Sequence, residues 1–300
     1  MLDPFPIPPF IRDSTQALTS SLGLRTLPLH THEIILSYAL YNFIDSVLSP
    51  FISAQLFPRK YNAFSRRTQL HWNMHVTSLV NSTFLSLAAL YVIFADQDRL
   101  SDTWEERIWG YTGAGGMVQA SIAGFFLWDF QVCVANVGSL GAMDLIHATM
   151  GLVISILGFR PFGLYYGLQY VLFELSTPFA NFHWFLNKLD KAGSTLQIVN
   201  GMVLIVVFGC CRLLWGSYST VLFFRDAWTA LHAPGPSWTS YDHSPTEKPL
   251  VLEHQAQWWM TIIFLVTHTT IMALSAIWFS KMITTIRKHY ARSGGEKKMK

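Results

Sequence analysis

Long apolar stretches constrain this chain more than any other feature of its sequence. Hydrophobic residues make up 51% of the 300 residues and charged residues only 13%, which is about half the charged fraction of an ordinary soluble domain. A helix needs about 20 apolar residues to cross the hydrocarbon core of a bilayer. The sequence therefore predicts an all-α membrane protein with about seven transmembrane helices, at residues 33–57, 72–95, 112–134, 140–157, 162–179, 198–224 and 257–283.

These spans divide the chain into four predicted parts. Residues 1–32 contain several prolines and are predicted to form an irregular amino-terminal tail. Residues 33–57 form the first transmembrane helix, residues 65–290 contain the other helices, and residues 291–300 form a basic tail. Glycine and proline between the fourth and fifth spans indicate a turn, so these two short spans form either a tight helical hairpin or one re-entrant pair.

The distribution of basic residues predicts the orientation in the membrane. Lys and Arg concentrate after the first, fifth and seventh spans, and such residues are enriched on the cytosolic side. This places the carboxyl terminus in the cytosol and the amino terminus in a lumen or outside the cell. The last four residues, Lys297, Lys298, Met299 and Lys300, look like a dilysine retrieval signal of the endoplasmic reticulum membrane. The alternative is a basic anchor on anionic lipid.

A few ionisable side chains fall inside the predicted spans. Each is a candidate functional residue, because an unpaired charge in the bilayer is costly. With a helical rise of about 1.5 Å per residue, five of them reach a similar depth in the cytosolic leaflet: His75, Asp129, Asp144, His147 and Glu174. The sequence therefore predicts a polar cluster at one level of the helical bundle.

Two members of that cluster, Asp144 and His147, are three residues apart and share a helix face. A carboxylate in that position can orient an imidazole for general-base catalysis. The pair is therefore the candidate catalytic site if the protein is an enzyme. The alternative is that His147 makes an ordinary hydrogen bond between helices.

Arg212 lies deeper in its span than the cluster and needs a partner there. Asp45 and Asn42 reach a similar depth. Glu174 is shallower, although the long side chain of arginine narrows that gap. Two roles remain open for Arg212: a structural ion pair, or recognition of a lipid phosphate or carboxylate through two parallel hydrogen bonds.

No cofactor, metal site or nucleic-acid surface is predicted. His71 and His75 share a helix face, which is a possible metal spacing, but no third ligand is in view. The net charge of +3 comes mostly from the basic carboxyl-terminal end, so it indicates the orientation in the membrane and not a surface for nucleic acid. The sequence contains no motif that reads the grooves of a nucleic acid.

Four segments resemble the TLC-domain family. They read HWNMHVTSLV at 71–80, FLWDF at 126–130, FELSTPFANFHWFL at 173–186 and RLLWGSY at 212–218. The resemblance covers about residues 65–290. It implies a bundle or barrel of six helices around a lipid-accessible cavity, with an additional first helix, in the endoplasmic reticulum.

In the ceramide synthase branch of that family, two adjacent histidines transfer an acyl chain from acyl-CoA to a sphingoid base. The matching site here reads Asp144, Leu145, Ile146, His147 and Ala148, with a single histidine. The resemblance therefore implies a protein of lipid homeostasis that binds or senses an acyl lipid in its cavity. The expected binding residues are His75, Asp129, Glu174 and Arg212.

Two other functions remain open. One is a ceramide-synthase-like acyltransferase that uses His147 as its base and acyl-CoA as a substrate. The other is a trafficking or chaperone partner of other membrane proteins. Membrane lipids are the expected partners of a lipid-binding protein and of an acyltransferase. The sequence indicates no protein partner.

Overall fold

The structure, a computed structural model, describes residues 1–99, 103–160, 162–233 and 258–298. Within these ranges the chain is helical and contains no β-strand. Residues 234–257 lie outside the described part, as do Met299 and Lys300 of the dilysine sequence. The predicted all-α membrane class is confirmed.

The amino-terminal region is helical. Helix α1 spans Pro9–Ser21, and α2 spans Leu27–Leu56, with a π-helical stretch at Ile44–Leu48. A single turn, α3, follows at Pro58–Tyr61. The prediction of an irregular tail is therefore wrong for residues 9–21 and 27–32, whereas residues 1–8 contain no helix. Prolines suggested irregular structure, but at the first positions of a helix proline is favourable because the amide it lacks has no partner there.

The middle of the chain forms five helices, three of which have a side-chain cap at the amino-terminal end. They are α4 (Arg66–Ala95), α5 (Trp104–Trp109), α6 (Gly113–Ala135), α7 (Val137–Leu140) and α8 (Ala142–Leu157). The side chains of Ser65, Thr103 and Thr112 each accept a hydrogen bond from a backbone amide in the first turn of α4, α5 and α6 respectively, which satisfies an otherwise unpaired donor.

Two of the remaining helical regions depart from regular α-geometry. Helices α9 (Leu164–Val171) and α10 (Thr177–Lys188) are joined by a 3-10 segment, Leu172–Ser176. Helix α11 spans Thr195–His232 and contains a π-helical stretch at Gly209–Trp215. Helix α12 spans Trp258–Lys298.

Five helices in the described part of the chain are long and apolar enough to cross a membrane: α2, α4, α6, α11 and the Trp258–Arg287 part of α12. The predicted fourth span corresponds to α8, which has only 16 residues. The predicted fifth span corresponds to α9, the 3-10 segment and the start of α10. The predicted count of seven spans is therefore not confirmed.

Helix α6 is the central element of the bundle, with α2 and α8 packed against it. Small residues allow this close packing, as is common between membrane helices. At Gly124 an added Cβ would lie 2.6 Å from Ser37 Cβ and 2.7 Å from the Ile34 carbonyl oxygen of α2. Helix α2 can therefore rest directly on the backbone of α6.

At one end of the bundle, a polar contact joins α5, α9 and α11. Arg107 Nε lies 2.6 Å from Asp226 Oδ2, and the Tyr166 hydroxyl donates to the same oxygen at 2.5 Å. Around this contact lies an aromatic core that includes Phe162, Phe223 and Phe264. The contact fixes the position of α9, which forms part of the cavity wall described below.

The close approach of α2 and α6 predicts that Gly124→Ala destabilises the protein. The new methyl group would overlap the α2 backbone, and such overpacking costs typically about 1–3 kcal/mol. We expect a lower thermal unfolding midpoint for the purified protein in detergent, measured by tryptophan fluorescence. The matched control is Gly138→Ala, because nothing lies within 4 Å of an added Cβ at Gly138. Equal midpoints in the two variants would contradict the packing described.

Candidate functional site

Two adjacent cavities lie between the helices. The first, here called the polar cavity, has a volume of about 460 Å³. The second, the apolar cavity, has a volume of about 130 Å³. Four residues line both cavities: Phe125, His147, Glu174 and Arg212. The two volumes therefore meet at one shared wall.

The polar cavity is lined by side chains from α4, α6, α7, α8, α10, α11 and α12 and from the 3-10 segment. All six residues proposed from the sequence line it: His75, Asp129, Asp144, His147, Glu174 and Arg212. The structure thus brings them together around one volume. Three further residues line the cavity: Trp128, Asn181 and Trp278. The sequence does not indicate them as site residues, because they carry no charge and such residues are common in membrane helices.

The apolar cavity is enclosed mainly by aromatic and aliphatic side chains, including Leu85, Ile122, Phe126, Ile154, Phe162, Val171, Phe223 and Phe264. One polar exception is Asn81, which is fully buried and whose amide nitrogen and oxygen have no hydrogen-bond partner among the described residues. A buried amide without partners is costly. Asn81 is therefore a group that a ligand can satisfy.

Arg212, on the shared wall, is held by the 3-10 segment and the first residue of α10. Its Nε lies 3.2 Å from the Phe173 carbonyl oxygen and 3.2 Å from Ser176 Oγ, and its Nη2 lies 3.2 Å from Thr177 Oγ1. Its Nη2 is also 3.8 Å from Glu174 Oε1. The buried guanidinium thus has both hydrogen-bond acceptors and a counter-charge.

The two departures from α-helical geometry explain how this contact forms. A 3-10 turn changes which carbonyl groups are paired within a helix, and the Phe173 carbonyl in that segment accepts from Arg212. On the other side, Arg212 lies within the π-helical stretch of α11, and such stretches are frequent at functional sites. The segments FELSTPF and RLLWGSY, which carry the family resemblance, therefore contact each other.

Of the three candidate partners of Arg212, Glu174 contacts it, and the two at a similar depth do not. Asp45 makes no contact with it, and Asp45 Oδ1 is buried without a hydrogen-bond partner. Asn42 instead donates to the Tyr38 carbonyl oxygen and accepts from Gln131. Depth along the helix axes suggested these pairings, but depth does not specify which way a side chain points. Of the two roles left open for Arg212, its contacts support the structural ion pair.

The expected catalytic arrangement of Asp144 and His147 is not formed. No hydrogen bond joins these two described side chains, and His147 Nδ1 is buried without a partner. The imidazole instead packs edge-on against Phe126 and Trp278, with ring centroids 5.7 and 5.5 Å away. Asp144 is exposed at the rim of the cavity.

His75 has a different environment. Its Nδ1 lies 2.7 Å from Asn181 Oδ1, and its ring stacks on Trp184 with centroids 4.2 Å apart. The Asn181 amide nitrogen donates to Ser78 Oγ at 3.1 Å, so the Asn181 oxygen faces His75 and the imidazole donates through Nδ1. This hydrogen bond fixes the orientation of His75 in the cavity wall.

Comparison with known proteins finds relatives along most of the chain. A family model described as the TLC domain matches residues 71–284, a range that includes every residue lining the polar cavity. An uncharacterized TLC domain-containing protein of Schizosaccharomyces pombe is 35% identical over 278 residues, which cover 92% of this chain and 84% of that protein.

More distant relatives include Topoisomerase I damage affected protein 4 of Saccharomyces cerevisiae, 28% identical over 206 residues, which cover 66% of this chain and 71% of that protein. TLC domain-containing protein 4 of Homo sapiens is 25% identical over 181 residues, which cover 59% of this chain and 67% of that protein.

The buried contacts of Arg212 predict a large effect of Arg212→Gln on stability. The substitution leaves the Glu174 carboxylate without its counter-charge, and breaking a buried pair costs about 3–5 kcal/mol. The matched control is Lys60→Gln, because Lys60 pairs with Asp190 at an exposed position, where ion pairs contribute about 0–1 kcal/mol. Denaturant unfolding in mixed micelles measures both. Equal free energies of unfolding would show that the Arg212 contacts do not stabilise the fold.

Proposed function

Because the chain belongs to the TLC-domain family, we propose that it binds an acyl lipid in the cavity between its helices and acts in membrane lipid homeostasis. One observation supports this most directly. An apolar cavity and a polar cavity share the wall formed by Phe125, His147, Glu174 and Arg212. A molecule with an apolar chain and a polar headgroup matches these two environments in a single orientation.

Selectivity in this proposal comes from the headgroup. In water, burying an acyl chain contributes about 0.8 kcal/mol per methylene. In a bilayer the competing environment is as apolar as the cavity wall, so the chain alone adds little net affinity. The polar groups must therefore distinguish the ligand from bulk lipid.

The lining of the polar cavity favours a headgroup with hydrogen-bond donors or a positive charge. Asp129, Asp144 and Glu174 contribute carboxylates, and Arg212 is the permanently charged cation in the lining. The Arg212 donors Nε and Nη2 already contact the 3-10 segment and α10, and Glu174 is its counter-ion. Asp129 and Asp144 are therefore the carboxylates left to interact with a ligand.

The endoplasmic reticulum is the proposed location, with the amino terminus lumenal and the carboxyl terminus cytosolic. The supporting observations are the basic residues near the carboxyl terminus and the sequence Lys297, Lys298, Met299 and Lys300. In this orientation the residues of the polar cavity lie in the cytosolic leaflet.

An acyltransferase with His147 as its base is the second candidate function. The position of His147 on the wall between the polar and apolar cavities favours it, since an acyl thioester has its reactive carbon between a polar head and an apolar chain. Against it, a single imidazole without a carboxylate partner would have to activate the nucleophile and protonate the leaving group.

The lipid-binding proposal predicts that blocking the apolar cavity removes co-purifying lipid. Gly167 lines that cavity. The atom nearest to a Cβ added at Gly167 is Gln119 Oε1, at 3.4 Å. The branched end of the leucine in Gly167→Leu therefore extends into the cavity. We expect mass spectrometry of protein purified in mild detergent to find a lipid class enriched over the bulk membrane in the wild type and lost in this variant.

The matched control for that experiment is Val221→Leu, because Val221 points outward from the same bundle and is 68% exposed. It adds one methylene at the lipid-facing surface and leaves both cavities intact. Bulk membrane composition in the wild type, or the same enriched lipid in Gly167→Leu, would contradict the proposal.

The two candidate functions differ in their response to His147→Ala. We expect microsomes that contain the wild-type protein to show no transfer of labelled acyl chains from acyl-CoA to a long-chain base above the background of microsomes without it. The His147→Ala variant should then give the same background. Transfer by the wild type that disappears in the variant would instead establish the acyltransferase.

A further inference from the structure

A second cluster of polar side chains lies at the other end of α6 from the polar cavity. It consists of Asp3 in the amino-terminal segment and His30 and Glu33 in the first turns of α2. The cluster packs against Gly116 of α6. Gly116 and Asp129 are thirteen residues apart on this helix, which corresponds to a distance of roughly 20 Å along its axis. It is therefore separate from the proposed lipid site.

The ligand atoms of the three side chains converge. His30 Nδ1 lies 2.6 Å from Glu33 Oε2 and 3.3 Å from Asp3 Oδ2, and the converging atoms all lie within 4.8 Å of one another. His30 is fully buried, and the Glu33 side chain is 5% exposed. One nitrogen and two carboxylates thus share a small space that excludes most water.

The cluster has more acceptors than donors. Among the described residues, Glu33 Oε1 is buried without a hydrogen-bond partner, and the Asp3 side chain is 18% exposed. His30 can supply one N–H to the two carboxylates at most, since its Nε2 lies 2.5 Å from the Tyr111 hydroxyl. One carboxylate oxygen thus lacks a partner, and a bound cation would satisfy it.

The surrounding backbone is shaped to hold these groups. An added Cβ at Gly116 would lie 2.1 Å from His30 Nε2, and one at Gly113 would lie 2.3 Å from the Asp3 amide nitrogen. The Ala114 amide donates to the Met1 carbonyl oxygen at 3.3 Å. Only glycine at positions 113 and 116 lets the amino-terminal segment and His30 approach α6 this closely.

From this geometry we propose that Asp3, His30 and Glu33 bind one divalent transition-metal ion, with Zn²⁺ as the best match. Zinc takes imidazole nitrogen and carboxylate oxygen ligands, and its fourth position can hold water. Two carboxylates and a neutral imidazole carry two negative charges, which the ion neutralises. Ligation through Nδ1 leaves Nε2–H to donate to Tyr111, the outer hydrogen bond that orients most metal-bound histidines.

The ligand spacing fits such an ion after a small adjustment. Tetrahedral ligands about 2.0 Å from zinc are about 3.3 Å apart, and the distance from His30 to Asp3 already has this value. Glu33 is closer because it makes a hydrogen bond, and rotation about its own side-chain bonds opens that distance. The bound ion joins the amino-terminal segment to α2 and so stabilises its packing on α6.

The test uses the full chain in detergent, with any affinity tag removed and metal stripped by a chelator. Calorimetric titration with Zn²⁺ should give one ion per chain. Asp3→Asn and Glu33→Gln, which keep side-chain shape, should each weaken binding by at least about tenfold. The control is His232→Gln, because His232 lies at the end of α11 and contacts the Trp228 carbonyl oxygen.

A second measurement keeps the test decisive if a variant is poorly folded. Zn²⁺ should raise the thermal unfolding midpoint of the wild type and of His232→Gln, and should leave that of Glu33→Gln unchanged. Co²⁺ in place of Zn²⁺ should give visible absorption bands that the Glu33→Gln variant lacks. The proposal is overturned if the wild type binds no Zn²⁺, or if Asp3→Asn and Glu33→Gln bind it as tightly as the wild type.

Discussion

The buried guanidinium of Arg212 is the constraint on which the arrangement of the bundle depends. A charge at this depth in an apolar protein is tolerated only when its donors and its charge are both satisfied. The Phe173 carbonyl, Ser176, Thr177 and Glu174 do this together. Because all four belong to one short segment, the contact holds the 3-10 segment and α10 against the π-helical part of α11. The wall between the two cavities is built from this contact.

Helix α6 connects the two ends of the molecule that carry polar chemistry. Its first turn has glycines where Asp3 and His30 approach, its middle has Gly124 where α2 rests, and its last turns carry Asp129 into the polar cavity. Small residues allow the backbones of neighbouring helices to approach closely. This close contact limits the movement of one helix relative to the other. The proposed metal site and the proposed lipid site are thus attached to one rigid element.

The absence of a hydrogen bond between Asp144 and His147 bears directly on function. An imidazole becomes an effective base when a neighbouring group orients it and stabilises its charged form. His147 has aromatic neighbours instead, which fill space and exclude water but supply no charge. The same residue on a wall between polar and apolar volumes is well suited to contact the junction between a lipid's headgroup and its chain.

The sequence by itself determined the membrane class, the long apolar helices, the family resemblance and the identity of the polar residues that line the cavity. These follow from composition and from spacing along a helix, which are local. It did not decide among Asp45, Asn42 and Glu174 as the partner of Arg212. It also did not predict the helices of the amino-terminal region, where proline starts helices that it was expected to prevent. Nor did it identify the cluster of Asp3, His30 and Glu33, because Asp3 is distant in sequence from the other two.

Only the tertiary structure decided these points, and the physical reason is the same in each case. The rise of a helix gives the depth of a side chain, but the direction in which it points depends on rotation about the helix axis. The π-helical stretch of α11 and the 3-10 segment before α10 change that rotation. Contacts between a terminal segment and a helix, such as that of Asp3 with His30, depend on packing that no periodic pattern records.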